Sequence, residues 1–383
     1  MDFVSMDHCC LYTSEYPPLA GGIATVNHEL ALALSREVEK VTVYCPNPPK
    51  DELTHGPGFF RVKVRGTQDP DDVFRWFRIM GRATADRHAM HCVTEPAPVL
   101  GLLFRILFRR PIPSKLTILL HGTELLRWRR RKWLVRALSR LSRQARIFVP
   151  SVHVQALFVE VLGPEVAIPE VLPYATPKSC IQGATSRKKK DAKDAVVLLT
   201  VARIHPRKGQ LDVINALRKI DSKITANVHY RIVGEARKSR KSYLEQVRQA
   251  AAEAEFEVSV EGPLHGQSLM DVYSSSDLFI MASREDTDSV ESFGLVYLEA
   301  AAFGLPIVAT KVGGVEEACG EAAAMVEPHS VTDLAETLER LLEDLELRRS
   351  LGEAAVRMAQ STSWSEAAKC LVLPKETSSL VSI

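Results

Sequence analysis

Residues 278–309 read LFIMASREDTDSVESFGLVYLEAAAFGLPIVA. Leu278 to Met281 is a short apolar run that reads as a buried strand, Phe293 to Phe303 reads as a helix, and Pro306 to Ala309 reads as a second strand. A strand, a helix and a strand in close succession describe a parallel α/β unit.

The same alternation extends in both directions. Upstream, Val196 to Val201 (VVLLTV) and Val228 to Val233 (VHYRIV) read as strands, Gly209 to Leu217 begins a helix, and Val258 to Val260 is a short strand. Downstream, Val331 to Met358 reads as two amphipathic helices, and Trp364 anchors a final one. The first half repeats the rhythm with strands at His8 to Thr13, Val41 to Cys45, Leu116 to Leu120, Ile147 to Val149 and Val171 to Pro173, and a helix at Ile23 to Leu34. Between the halves, Thr176 to Asp194 is polar and poor in large apolar residues, the composition of a linker. With 383 residues the chain exceeds what one core serves. The reading is an α/β protein of two Rossmann-like, doubly wound domains, residues 1–178 and 179–360, with 361–383 a tail that packs back on the first.

Composition narrows the chemistry. The net charge is +2, too small for binding polyanions by bulk charge, so any basic function is local. Seven cysteines without a C-x-x-C pair indicate neither a zinc site nor a disulfide framework, and fit reduced thiols in a cytoplasmic compartment. The first residues lack the pattern of a signal peptide, and no apolar run is long enough to span a membrane.

Two tracts carry the chemistry. In Glu291-Ser-Phe-Gly-Leu-Val-Tyr-Leu-Glu299, eight helical residues would advance about 12 Å and place both carboxylates along one groove. The amides of Ser292, Phe293, Gly294 and Leu295 would sit at the helix N-terminus, which attracts anions, and Gly294 would let a phosphate come close. Two acids eight apart on a surface helix are usually only solvated charge; the flanking Ser-Phe-Gly and Ala-Ala-Phe-Gly-Leu-Pro favour a site. In Thr200-Val-Ala-Arg203-Ile-His-Pro-Arg207-Lys208-Gly209, cations follow the carboxyl end of a strand, where ligands of such sheets bind. Arg203 can fork two phosphate oxygens and Lys208 adds a point charge.

Residues 201–209 and 284–318 resemble the family-4 retaining glycosyltransferases of the GT-B fold, which implies two domains facing a central cleft, with acceptor binding by 1–178 and nucleotide-sugar binding by 179–360. Ser14 to Pro18 with Gly21-Gly22-Ile23, His121-Gly122-Thr123-Glu124, Val233-Gly234-Glu235, Glu261-Gly262-Pro263-Leu264 and Tyr273 to Ser283 extend the resemblance over nearly the whole chain. It implies that Glu291 binds hydroxyls of the transferred sugar, Glu299 the ribose hydroxyls, and Arg203 and Lys208 the diphosphate. Gly22, Gly234, Pro263 and Leu264 would line the donor, and His121 would contact the transferred sugar, through its backbone carbonyl. Glu291, His121, Arg203 and Lys208 are the expected catalytic set. The resemblance implies transfer of a hexosyl group, from a UDP-sugar, to a hydroxyl acceptor such as a glycolipid, a polysaccharide precursor or a small metabolite, with retention. It implies no metal and no cofactor, the nucleotide-sugar being a co-substrate. Two departures stand out: the approach Arg284 to Val290 is longer and more acidic than the family's, and Tyr174-Ala175-Thr176 replaces an asparagine-glycine turn.

A GT-B sugar-nucleotide epimerase and a catalytically silent nucleotide-sugar binder share these residues and remain alternatives. A nicotinamide oxidoreductase would need G-x-G-x-x-G, where the loop offers only Gly21-Gly22. Residues 127–146 hold nine cations with Trp128 and Trp133 interleaved and no acid. Such a stretch suits peripheral contact with an anionic membrane at its inner face, docking of an anionic acceptor, or a solvated helix whose apolar side packs inward. Nucleic acid is not expected, because no binding module accompanies the charge.

Overall fold

The protein is described by a computed structural model covering residues 7–19, 21–46, 59–63, 73–184 and 195–373. It divides into two units. The first holds the chain up to Tyr174 and again from Ser363; the second is Ala175–Thr362. The chain thus changes unit at 174/175 and 362/363, beside the boundaries of 178/179 and 360/361 read from sequence.

The first unit is built on a parallel sheet of β1 (His8–Tyr12), β2 (Lys40–Cys45), β3 (Phe59–Lys63), β4 (Met90–Val93), β5 (Leu116–Leu119), β6 (Arg146–Val149) and β7 (Glu170–Val171). The strand order is β3-β2-β1-β4-β5-β6-β7. The direction of travel reverses between β1 and β4, so the loops leaving them part and open a crevice at the carboxyl edge. Helix Gly22–Leu34 buries Val26, Leu30, Ala33 and Leu34, the side expected from their spacing.

The last helix, Trp364–Val372, returns to this unit. It starts on a capping box, with Ser363 and Glu366 each bonded to the other's backbone. Its Trp364 ring stands 5.8 Å from the ring of Tyr174. At its far end the Arg146 guanidinium donates to the carbonyls of Cys370 at 2.9 Å and Leu373 at 2.7 Å, satisfying groups that a helix C-terminus otherwise leaves open.

The second unit carries β8 (Val196–Val201), β9 (Val228–Val233), β10 (Glu257–Glu261), β11 (Leu278–Met281), β12 (Ile307–Thr310) and β13 (Ala323–Val326), in the order β10-β9-β8-β11-β12-β13 and all parallel. Successive strand residues feed opposite cores. Leu198 and Ile280 join Tyr230 and Leu338 on one face, while Leu199 and Phe279 join Tyr297 and Ala300 on the other. Here the reversal lies between β8 and β11.

Three expectations change. Lys178–Ala184, read as linker, is a helix, because Cys180 is buried in the second core beside Tyr273 and Phe303; residues 185–194, with the lysine run, lie outside the described residues. The basic stretch is two helices, Thr123–Trp128 and Lys132–Leu141. Leu134, Ala137, Leu138 and Leu141 point inward at helical spacing, leaving Trp133 38% exposed and Trp128 7%. The helix expected from Phe293 begins only at Leu295. Gly294 precedes it at φ 88°, and a Cβ there would lie 2.5 Å from the Tyr297 ring. The helix therefore cannot continue backward through this residue.

Candidate functional site

The loops leaving β8 and β11 bring the two chemical tracts together at the strand-order reversal of the second unit. After β8 the chain passes Arg203 and makes a single tight turn at Pro206–Lys208. Gly209 ends that turn at φ 67°, where a Cβ would lie 1.9 Å from the Ala282 carbonyl oxygen. Glycine at 209 thus lets the β8 loop lie directly on the β11 loop. The backbone of Arg284 donates to the Arg207 carbonyl at 2.7 Å, and the Arg284 side chain pairs with Asp212. The first residue of the acidic approach therefore fastens the two loops together.

Glu291 is not on the helix with Glu299, as the sequence reading had it, but in the loop ahead of Gly294. Its backbone carbonyl accepts from Gly314 at 2.9 Å. Its carboxylate Oε2 accepts from Arg207 Nη1 at 2.8 Å and Lys208 Nζ at 2.5 Å, with the Ser283 hydroxyl at 3.5 Å. All three side chains of this ion triad are about nine-tenths buried. Burial alone would raise the Glu291 carboxyl, but Lys208 and Arg207 outweigh it and hold it down at about 2. Burial pushes Lys208 below the ordinary lysine value despite Glu291. Both cation bonds and the Ser283 contact fall on Oε2, which anchors that oxygen of the carboxylate.

Glu299 lies within helix Leu295–Ala302. Burial raises its carboxyl, and the Tyr273 hydroxyl donates to Oε2 at 2.8 Å. Leu264, Phe293 and Val296 pack against the core that contains Tyr273, so the loop after β10 and the start of this helix share one wall. Pro263 is exposed. Gly234, directly after β9, abuts β8: a Cβ there would stand 1.9 Å from the Ala202 carbonyl oxygen. Arg203 is exposed on the β8 loop, close enough for its charge to oppose that of Lys208.

The second unit therefore assembles Arg203, Lys208, Gly234, Leu264, Glu291, Ser292 to Leu295 and Glu299 around the ends of β8, β9, β10 and β11. Sequence reasoning quoted Arg207 and Tyr273 within matching tracts but missed both as site residues. Arg207 adjoins Lys208 in a Pro-started turn, a signal that could have drawn it in. Tyr273 is 26 residues from Glu299 and carried no such signal.

Gly22 and His121 belong to the first unit. Gly22 opens helix Gly22–Leu34 at the β1 loop. His121 follows β5 and is 7% exposed. Its Nε2 donates to the Thr94 carbonyl at 2.9 Å, which leaves Nδ1 to accept from Tyr174 at 3.3 Å. Its backbone N–H donates to Glu124 at 2.5 Å. The imidazole is thus engaged within its own unit.

Two family profiles match the chain. One, described as "Glycosyltransferase Family 4", covers residues 20–172, and one, "Glycosyl transferases group 1", covers 182–358. The D-inositol 3-phosphate glycosyltransferase of Corynebacterium aurimucosum is 44% identical over 108 residues, 28% of this chain and 24% of that protein. A GDP-mannose-dependent monoacylated alpha-(1-6)-phosphatidylinositol monomannoside mannosyltransferase of Corynebacterium glutamicum is 32% identical over 194 residues, 50% of this chain and 49% of that protein. The matches thus span half or less of these curated relatives. The solved sucrose-phosphate synthase of Thermosynechococcus elongatus superposes over 95% of this chain and 97% of its own, with a TM-score of 0.75 at 18% identity. That likeness identifies the GT-B fold.

Proposed function

This chain belongs to glycosyltransferase family 4, and on that premise we propose that it moves a hexosyl group from a nucleotide-sugar to a hydroxyl acceptor, with retention. The observation that carries the proposal is the ion triad of Glu291, Arg207 and Lys208 at the reversal between β8 and β11.

The charges suit the leaving group. Arg207 and Lys208 exceed Glu291 by one positive charge, and Arg203 adds another from the same loop. The start of helix Leu295–Ala302 contributes amides and the positive end of its dipole. A diphosphate that gains negative charge as the anomeric bond breaks would be stabilised by these preorganised donors, a role a divalent metal fills in other transferases. Glu291 Oε1 would accept from hydroxyls of the transferred sugar. Glu299, one oxygen held by Tyr273, would accept from the ribose hydroxyls. Gly234, Pro263 and Leu264 would border the nucleotide. The acceptor's proton would pass to the leaving phosphate on the same face, which gives retention.

The basic stretch at 127–146, apart from Arg146, which the terminal helix takes up, fits peripheral contact with an anionic membrane. Trp133 and the exposed Leu107 and Phe108 add apolar area next to cations. No helix among the described residues is long and apolar enough to cross a membrane.

A thermal-shift screen over UDP- and GDP-sugars, followed by product analysis, tests the proposal. UDP is the base expected from sequence, and GDP-mannose is named for one relative. A true donor raises the unfolding temperature by mass action. No stabilisation by any nucleotide-sugar would refute the reading. Release of a free epimerised sugar or nucleotide without acceptor would establish the epimerase instead. Full activity in chelator is expected; loss restored by magnesium or manganese would overturn metal independence.

A further inference from the structure

His8, Cys10 and Asp86 meet on the first unit's sheet. His8 and Cys10 lie two residues apart on β1 and so share a face. Asp86 sits in the turn that leads into β4. One donor atom from each residue lies within 4.8 Å of the other two. His8 Nδ1 is 3.2 Å from Asp86 Oδ2, and Cys10 Sγ is 3.4 Å from His8 Nε2.

We propose that His8, Cys10 and Asp86 form a binding site for a zinc-class divalent cation on the first unit. Imidazole nitrogen, thiolate sulfur and carboxylate oxygen together suit zinc and its neighbours better than calcium or magnesium, which favour oxygen alone. A tetrahedral zinc site places its donors roughly 3.3–3.8 Å apart, so the three donors, now within 4.8 Å of one another, would draw together around the ion.

The surroundings hold the ligands as metal sites require. The Thr42 hydroxyl takes His8 Nε2 at 2.9 Å, leaving Nδ1 for the cation. Asp86 Oδ1 accepts from the amides of Ala89 at 3.0 Å and His88 at 3.2 Å, which aims Oδ2 at His8. The Asp86 carbonyl is gripped by His91 Nε2 at 2.9 Å, and His91 is in turn bonded to Tyr12 at 3.0 Å. Asp86 and His8 keep 42% and 20% of their side-chain surface open, which admits a cation. Cys10 is only 3% exposed, which keeps larger electrophiles away from its sulfur.

The test uses the full chain carrying Cys370→Ser, since Cys370 is the one exposed cysteine. Metal-free protein is titrated with cobalt(II) and then with zinc(II) against a chromophoric chelator. One equivalent of cobalt should give a thiolate-to-metal charge-transfer band, which zinc removes. Cys10→Ser should abolish the band. Asp86→Asn, on an exposed side chain, should weaken affinity about 10- to 100-fold with the unfolding curve in place. If Cys10→Ser does not fold, Asp86→Asn decides alone. No saturable one-equivalent binding, a band that survives Cys10→Ser, or an unchanged affinity in Asp86→Asn would overturn the site.

Discussion

Replacing Glu291 with glutamine keeps the shape of the ion triad and removes its only negative charge. The folded carboxyl is held at about 2, against 4.5 for the free group. That depression corresponds to about 3 kcal/mol of stability at neutral pH. It agrees with the range of about 3–5 kcal/mol for breaking a buried ion pair from one side. Because the folded value lies below the unfolded one, the contribution is complete above about pH 5 and is lost as pH falls through about 2. Glu291→Gln should therefore lower the urea midpoint of the second unit by on the order of 1 M at pH 7, with the gap to the native chain narrowing in acid. Lys208, already lowered by burial, can shed its proton in the variant, so the gap should also narrow in alkali. The readout must follow the correct unit. The four tryptophans, at 76, 128, 133 and 364, all belong to the first unit, so their fluorescence tracks that unit alone while far-UV dichroism includes the second. A dichroism midpoint that is unchanged at pH 7, or a gap that does not shrink toward pH 3, would refute the triad's energetic role.

Glu299→Ala should weaken nucleotide-sugar binding about 10- to 100-fold in calorimetry through lost hydrogen bonds; unchanged affinity removes the ribose role. Lys208→Ala should lower turnover about 100-fold or more with the fold intact, and near-normal kinetics would take Lys208 out of the mechanism. Gly294→Ala should cost more than about 1 kcal/mol in dichroism-monitored unfolding, because its φ is positive and its Cβ meets the Tyr297 ring; a neutral effect would mean that the loop before the helix is not set by this residue.

The apolar runs LTILL, VVLLTV and LFIM announced their strands, because both faces of a parallel sheet are buried and only a single buried threonine, Thr117 or Thr200, interrupts either of the first two. Met90–Val93 escaped notice. Its His91 looks like a break, yet is fully buried by bonding its ring to Tyr12 and to the Asp86 carbonyl. Ala323–Val326 (AAMV) carries weak strand propensity and is made a strand by pairing with β12. At the site, Glu291 and Glu299 were legible as a pair because their flanking residues were distinctive. Their true geometry was not, since it turns on one backbone angle at Gly294. Arg207 was in plain view, but its partner lies 84 residues away, and only the juxtaposition of β8 and β11 joins them.

The chain leaves the first unit at Tyr174 and re-enters it at Ser363, and this has a consequence for recombination. The second unit is an insert with two junctions, and the returning helix is tied to its host through Trp364 and Arg146. A chimera made at a single crossover would pair a foreign terminal helix with a host strand that evolved to hold another. Exchanging the second unit between such proteins calls for moving the whole segment between two cuts, so that the first sheet keeps its own closing helix.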